Sequence, residues 1–159
     1  RDAENPPRYR ALAVRRQQTL LKLHSEHAHP ACRFLAETFA LLARHDVAVD
    51  SVTISESSIA LILNATSATA GEANMLTSSL LTELSSHCRV EVETGLALVT
   101  LIGNSLSQAE SVCNEVFAGL ENHPVRMICH GASSHNLGFL LPADSADSAV
   151  KVLHRRLFE

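Results

Sequence analysis

The sequence predicts an α+β fold made of two βαββαβ units, with the first unit inserted in the second. Three observations support this prediction. Short apolar stretches alternate with segments whose apolar residues recur at helical spacing. This order of elements begins again after residue 94. One strand is left over at the front of the chain, whereas the second unit runs out of chain before its last strand. The leftover strand, residues 9–16, is therefore predicted to complete the second unit.

The first unit contains all six elements. Residues 19–25 and 88–93 are predicted to be its first and last strands, and two more strands around a polar turn occupy residues 47–64. Two helices separate these strands, and each has an apolar face. The inward residues are predicted to be Phe34, Leu35, Phe39, Leu41 and Leu42 in the first helix, and Met75, Leu76, Leu80, Leu81 and Leu84 in the second.

The second unit repeats this order. Residues 95–103 are a predicted strand, residues 127–142 are two strands around a polar turn, and the last residues form a helix. Another helix is predicted over 105–123, with Ser105 or Ser107 as its N-cap. The inward residues of that helix are predicted to be Leu106, Val112, Val116, Phe117 and Leu120.

A constant offset of 78 residues relates the two units. It places Leu21 on Val99, Leu23 on Leu101, Phe39 on Phe117, Leu42 on Leu120, Val47 on Val125, Ser55 on Ser133, Ile59 on Leu137, Leu61 on Phe139 and Leu63 on Leu141. So many matches at one offset indicate an internal repeat. Each unit then follows the split βαβ, ferredoxin-like plan. The predicted domains are residues 18–93 and, for the second unit, residues 9–17 with 94–159, after a linker of residues 1–8.

The composition narrows the class of protein. Hydrophobic residues make up 46% of the chain, enough for a folded core, and the net charge of −4 is scattered, which argues against a nucleic-acid or membrane surface. No apolar run approaches the ~20 residues of a membrane helix. The chain begins with Arg1, so it is expected to be part of something longer. The four cysteines (Cys32, Cys88, Cys113 and Cys129) form no CxxC pair and favour free thiols in a cytosolic protein.

Two groups of residues contain side chains typical of catalytic or metal sites, and neither has the complete pattern of such a site. The stretch GASSH, residues 131–135, has a serine and a histidine but lacks the second glycine of a G-x-S-x-G elbow, so a turn between core strands is favoured. His24, His27 and His29 lack the carboxylates or cysteines that would complete a metal site, and a loop of exposed histidines is the favoured interpretation. The fragment is therefore predicted to be a binding module and not an enzyme.

Several segments resemble the paired ACT domains in the C-terminal regulatory region of aspartate kinase, most closely the lysine-sensitive bacterial type. They are ALAVRRQQTLLKLHS, FLAETFALLARHDVAVDSVTISE, CRVEVETGLALVTLIGN and MICHGASSHNLGFLLP, with LHRRLFE closing the chain. The resemblance implies a parent enzyme that phosphorylates aspartate with ATP and Mg²⁺, the first step toward lysine, threonine and methionine. It places the kinase domain upstream, so this fragment carries no catalytic residue, cofactor or metal.

The resemblance also implies an allosteric role in the cytoplasm. The family's ACT units bind an end-product amino acid and dimerise, and the ligand shifts the kinase toward an inactive state because it binds that state better. For this chain the resemblance implies L-lysine as the ligand and a homodimer formed through residues 31–64 of the first unit. The effector-binding residues that match the family pattern are Ala31, Phe34, Leu35, Val49, Asp50, Ser55 and Glu56.

In this interpretation Asp50 and Glu56 accept the ligand's ammonium groups, and N–H groups at the start of the helix beginning near residue 33 hold its carboxylate. The chain departs from the family pattern around that site at Ala28, Ala31, Arg33, Ala48 and Ile54. These departures leave two alternatives open: another aspartate-family amino acid as effector, or an ACT scaffold for dimerisation whose effector binding is altered or lost. Fusion of the parent kinase to another lysine-pathway enzyme, and a tetramer instead of a dimer, also stay open.

Overall fold

The computed structural model describes residues 6–26, 31–64 and 76–159. In chain order the elements are β1 (Tyr9–Ser25), α1 (Ala31–Arg44), β2 (Val49–Ile54), β3 (Ser58–Asn64), α2 (Ser78–His87), β4 (Cys88–Gly103), a 3₁₀ turn (Leu106–Gln108), α3 (Val112–Gly119), β5 (Met127–Cys129), β6 (Asn136–Pro142) and α4 (Ala143–Phe158). The chain is therefore an α+β protein, as predicted. No helix among the described residues has both the length and the apolar composition needed to cross a membrane.

Two units divide the chain, and β1 and β4 each contribute to both. One unit is Gln17–Thr94, and the other is Arg1–Arg16 together with Gly95–Glu159. In the first of these, which we call the inserted unit, the strands lie in the order β2-β3-β1-β4. In the other, which we call the outer unit, the order is β1-β4-β6-β5. The part of β1 up to Arg16 thus belongs to the outer unit, as the inserted arrangement requires.

The inserted unit buries its own apolar core under α1 and α2. The central strands β1 and β3 pair antiparallel, with Leu21 opposite Leu61 and Leu23 opposite Ile59. These side chains alternate along their strands and point to one face of the sheet. They form a buried cluster with side chains of both helices, among them Leu42, Leu80 and Leu84. In α2, Thr77 is the N-cap, and its hydroxyl accepts a hydrogen bond from the N–H of Leu80 at 3.2 Å.

The outer unit repeats this construction with a separate core. β4 and β6 pair antiparallel, and Val99 lies opposite Phe139. Phe139 is fully buried in a cluster that also contains Val116 of α3 and Leu153 of α4. Both units therefore pack two helices on one face of an antiparallel sheet.

A residue with positive φ lies within each of the two long strands, at the point where the chain passes from one unit to the other. Gln17 has a φ of 57° and Gly95 a φ of 71°. Two pairs of shorter strands were predicted here, 9–16 with 19–25 and 88–93 with 95–103. Each pair is joined into one strand in the structure. The left-handed backbone at the join costs a non-glycine residue such as Gln17 roughly 1–2 kcal/mol.

The offset of 78 holds for most of the repeat but not for the edge strands. Val52 lies opposite Leu61, and Ile128 lies opposite Phe139. Leu61 and Phe139 differ by 78 residues, whereas Val52 and Ile128 differ by 76. The connection between β5 and β6 is therefore two residues longer than its counterpart between β2 and β3.

Two predictions about the first helix of each unit are wrong. Phe39 and Phe117 were expected in the cores, but they are 36% and 39% exposed. The helix predicted over 105–123 is also interrupted: Ser105 has a φ of 53° and precedes the short 3₁₀ turn without a side-chain cap, and α3 begins only at Val112. The physical reason is that backbone groups near Ser105 make contacts outside the helix, as described below.

Candidate functional site

The connection between β2 and β3 is a tight hairpin that carries two of the predicted site residues, Ser55 and Glu56. The N–H of Ser55 donates to the carbonyl of Ser58 at 2.9 Å, which closes the turn. The N–H of Ser25, the last residue of β1, donates to the carbonyl of Ser57 at 2.8 Å. The side chains of Ser55 and Glu56 are exposed, so they stand on a fixed backbone and face solvent.

Asp50 lies at an irregularity near the start of β2. Val49 lies opposite Leu63 and Ser51 opposite Ile62, so the pairing register shifts between them and Asp50 is the extra residue of a β-bulge. Bulges turn a side chain out of the regular alternation and are frequent next to binding sites. Asp50 lies at this bulge and its carboxylate is exposed. The preceding residue, Val49, is half-buried and packs on the core of the inserted unit.

The first turns of α1 supply the remaining predicted site residues. Phe34 is buried in the core and Leu35 packs against the core, so both contribute apolar side chains and no polar group. Ala31 is the first residue of α1, and its side chain lies outside the described part of the structure, as does the whole of Ala28. Arg33 is exposed and its guanidinium pairs with Glu37 at 3.5 Å, one turn further along the helix.

Asp50 and the hairpin lie at opposite ends of β2. Each strand residue advances about 3.3 Å, so the four steps from Asp50 to Ile54 alone span about 13 Å. α1 begins shortly after β1 ends beside the hairpin, and its 14 residues carry the chain about 21 Å back toward the start of β2. Within one chain, Glu56 is therefore near the start of α1 and Asp50 is near its end.

His24 was expected in a loop of exposed histidines, and that prediction is wrong. It lies in β1 opposite Ser58 of β3, and its Nδ1 is 2.9 Å from the Ser58 hydroxyl. Its Nε2 is 3.4 Å from an oxygen of Glu91 on β4. The alternation of apolar and polar residues in TLLKLHS could have placed this side chain on a sheet face. His27 and His29 lie outside the described residues.

The stretch GASSH forms the longer hairpin connection of the outer unit, and its groups serve the backbone. The Ser133 hydroxyl accepts from the N–H of His135 at 3.1 Å, and the His135 ring lies 3.1 Å from the carbonyl of Gly103. The N–H of Leu106 donates to the carbonyl of Ser134 at 2.7 Å. This hairpin connection, which is two residues longer than its counterpart in the inserted unit, thus holds the loop that follows β4. This contact explains the interrupted helix and gives the serine and histidine a structural role.

The titratable groups and thiols of the described residues do not have the arrangement of a metal site. Within residues 6–26, 31–64 and 76–159, no group of three His, Cys, Asp or Glu side chains is arranged to hold a metal ion. The four cysteines are free thiols. Burial, and to a smaller extent the charge of Glu26, raises the pKa of the Cys88 thiol, which therefore stays protonated in the core.

Comparison with known proteins identifies the family. Residues 99–157 match the model of an ACT domain. The chain is 58% identical over 156 residues to the lysine-sensitive aspartokinase 3 of Escherichia coli, and this alignment covers 98% of the chain and 35% of that protein. It is 28% identical over 152 residues to the chloroplastic aspartokinase 1 of Arabidopsis thaliana, covering 94% of the chain and 26% of that protein. The chain thus spans about a third of the length of these relatives.

Solved structures agree with the sequence comparison. The E. coli aspartokinase III in complex with aspartate and ADP, in the R-state, matches with a TM-score of 0.92 and 57% identity over 99% of this chain and 35% of that one. The same relative in complex with lysine and aspartate, in the T-state, matches with a TM-score of 0.86 and the same coverage. The inserted βαββαβ fold and these similarities together lead to one conclusion: the chain belongs to the aspartate kinase family, of which it represents the regulatory ACT region.

Proposed function

We propose that this chain is the feedback-regulatory part of a cytoplasmic aspartate kinase and that it binds L-lysine. The parent enzyme would phosphorylate aspartate with ATP and Mg²⁺ in a domain that precedes this chain. Support comes from the lysine-sensitive E. coli relative, which has been solved in complex with lysine. In this proposal residues 1–8 are a linker, residues 18–93 are the first ACT domain, and residues 9–17 with 94–159 are the second.

The proposal rests above all on the position of Asp50 and Glu56 at the two ends of an edge strand. Among the strands that the structure describes, β2 has one neighbour, so its other side carries backbone groups that can pair with another strand. If two copies join their β2 strands antiparallel about a two-fold axis, the start of one strand meets the end of the other. Asp50 would then lie beside Glu56 of the partner subunit, and each dimer would have two equivalent sites.

Exposed apolar side chains support the same dimer. Val52 and Ile54 of β2 are 38% and 51% exposed, and Phe39 of α1 is 36% exposed. Val52 and Ile54 lie opposite Leu61 and Ile59, so they are on the face of the sheet that carries the helices. The helices do not cover these two side chains completely. A second copy at the β2 edge would bury them. This surface falls within residues 31–64 and accounts for a homodimer.

A lysine ligand fits the chemistry of such a shared site. Its two ammonium groups need acceptors, which the Asp50 and Glu56 carboxylates supply. Its carboxylate needs donors, which the first N–H groups of α1 supply, since these have no partner within the helix and the helix dipole helps them. The pairing of Arg33 with Glu37 leaves its charge partly neutralised near that helix start. Losing one charge-assisted hydrogen bond, about 1.5–3 kcal/mol, is expected to weaken binding roughly tenfold or more.

The decisive experiment is calorimetric titration of the chain with L-lysine, with threonine and methionine as comparisons. Asp50→Ala and Glu56→Ala are each expected to weaken lysine binding at least about tenfold. Glu121→Ala, which removes an exposed carboxylate in the outer unit, is the matched control and is expected to bind like the wild type. If both site variants bind lysine as well as the control does, the site assignment is wrong.

Mixing the two site variants tests whether the site is shared between subunits. In a mixed dimer, one of the two sites combines an intact Asp50 with an intact Glu56, and the other site lacks both. Equal mixing makes about half of the dimers mixed, so about one site in four is expected to regain tight lysine binding. A site built within one chain would regain none. Absence of binding to any amino acid at millimolar concentration, with a dimer still seen by light scattering, would favour the scaffold alternative.

A further inference from the structure

His24 joins three strands on the sheet face opposite the helices of the inserted unit. Leu21 and Leu23 point into the core, so the alternation along β1 turns Lys22 and His24 to the other face. Ser58 lies on β3 to one side and Glu91 on β4 to the other. The imidazole is only partly exposed, since 26% of its side-chain surface is accessible.

The ring makes one hydrogen bond and one looser contact. Its Nδ1 lies 2.9 Å from the Ser58 hydroxyl, which can either donate or accept. Its Nε2 lies 3.4 Å from a Glu91 oxygen, at ion-pair distance, but makes no hydrogen bond there. Glu91 is held in turn by Arg89 at 2.6 Å, and these two partners, His24 first, keep the pKa of Glu91 below its usual range.

The Ser58 side of this chain of contacts leads directly to the hairpin of the effector site. Ser58 closes the turn by accepting from the N–H of Ser55. The residue after His24, Ser25, donates to the carbonyl of Ser57. The end of β1 thus holds the hairpin at two adjacent points, one through its backbone and one through the His24 ring. Glu56 lies between these anchored residues and has an exposed side chain.

We propose that His24 is a positioning residue of the effector site, which fixes the hairpin carrying Ser55 and Glu56 through its hydrogen bond with Ser58. This role rests on the proposed lysine site. The ring touches no ligand in this arrangement. It acts by limiting the positions that the Glu56 carboxylate can take, so that less conformational freedom is lost when the ligand binds.

Two substitutions at position 24 separate positioning from general stability, because each keeps one of the two contacts of the ring and loses the other. The amide of an asparagine lies where Nδ1 lies, so His24→Asn keeps the contact to Ser58 and loses the contact to Glu91. A glutamine amide reaches the position of Nε2, so His24→Gln does the reverse. In lysine titrations of the 159-residue chain, His24→Asn is expected to bind within about twofold of the wild type, and His24→Gln about three- to tenfold more weakly, the effect of one neutral hydrogen bond.

The outer unit offers a matched control. There the His135 ring lies 3.1 Å from the carbonyl of Gly103, and the N–H of Gly103 donates to the carbonyl of His135 at 2.9 Å, so a histidine again ties a hairpin to the end of a strand. His135→Gln, which loses the Nδ1 contact to Gly103, is expected to leave lysine affinity unchanged. Equal losses in His24→Asn and His24→Gln would overturn the positioning role. So would a loss in His135→Gln equal to that in His24→Gln, or wild-type affinity in His24→Gln.

Hydrogen exchange gives a second measurement that needs no ligand. The amide of Ser25, bonded to Ser57 in the wild type, is expected to exchange faster in His24→Gln and at the wild-type rate in His24→Asn. If the wild type binds no lysine, the proposed function fails. The exchange rates then decide the positioning of the hairpin by themselves, and unchanged exchange in His24→Gln overturns it.

Discussion

Tyr9 offers a test of the outer unit that a single optical signal can follow. It is the only tyrosine of the sequence, which also has no tryptophan. Its hydroxyl donates to Glu115 of α3 at 2.7 Å, and its ring packs near Phe158 of α4 with 6.4 Å between ring centroids. Burial first, and then the hydrogen bond and negative charge of Glu115, raise the pKa of Tyr9 from 10.0 to about 12, against a smaller opposing effect of Arg8.

The sign of the stability effect follows from the direction of this shift. The folded chain keeps the tyrosine proton to a higher pH than the unfolded chain does, so the contribution to stability is complete below pH 10.0 and is lost as pH rises toward about 12. In Glu115→Gln the negative charge is removed while a hydrogen-bond acceptor is kept. The pKa of Tyr9 is therefore expected to fall but to stay above 10.0, because burial is the largest cause of the shift.

The assay is a titration of the tyrosinate ultraviolet absorbance, with far-ultraviolet circular dichroism recorded in parallel to report folding. The wild type is expected to titrate near pH 12, the same chain in denaturant near pH 10, and Glu115→Gln between them. Glu121→Gln, which changes an exposed carboxylate elsewhere in the outer unit, is the control and should match the wild type. A wild-type midpoint near pH 10 in a chain that is still folded would refute the reasoning.

Two further predictions concern stability and are checked by urea unfolding. A Cβ at Gly103 would lie 2.1 Å from the backbone oxygen of Arg8, so Gly103→Ala is expected to lower the free energy of unfolding by roughly 1–3 kcal/mol. At Gly119 the nearest atom, at 2.9 Å, is the end of a flexible leucine side chain, so Gly119→Ala should lower the free energy of unfolding by less. Equal losses in the two variants would contradict the backbone clash. Phe139→Ala removes a fully buried ring and is expected to lower the free energy of unfolding by about 3–5 kcal/mol. Val152→Ala, at a 38% exposed position, should change it by less than about 0.5 kcal/mol. A loss below about 1 kcal/mol for Phe139→Ala would contradict the place of Phe139 in the core.

Much of the fold could be predicted because local patterns and the repeat agree. Helical spacing located α1 and α4, and alternation located the hairpin of β2 and β3. The repeat then assigned the leftover strand to the outer unit, which no local pattern could do. The exposure of Phe39 and Phe117 was not predictable from helical spacing. Spacing shows which residues share one face of a helix, but not how far the sheet and the neighbouring helix cover that face.

The list of proposed site residues came from the resemblance, and nothing in the sequence indicated how they are arranged. Asp50 and Glu56 are six positions apart, and their resemblance to a family pattern does not reveal that a whole strand separates them. The bulge at Asp50 is likewise invisible in the sequence, since it is a property of pairing between two strands. The contacts of His24 were not predicted because its partners, Ser58 and Glu91, are distant in sequence and meet it only when three strands align.

The sharing of β1 between two units has a consequence for the order in which the protein folds during synthesis. Gln17–Thr94 is contiguous, so the inserted unit can fold as soon as its last strand emerges from the ribosome. The first half of β1 has to wait for residues beyond Gly95, and at about 5–20 residues per second this delay is on the order of ten seconds. During that time it is an unpaired apolar strand, the kind of segment that aggregates. Arg10, Arg15 and Arg16 flank its apolar residues, and like charges in such positions oppose pairing between nascent chains.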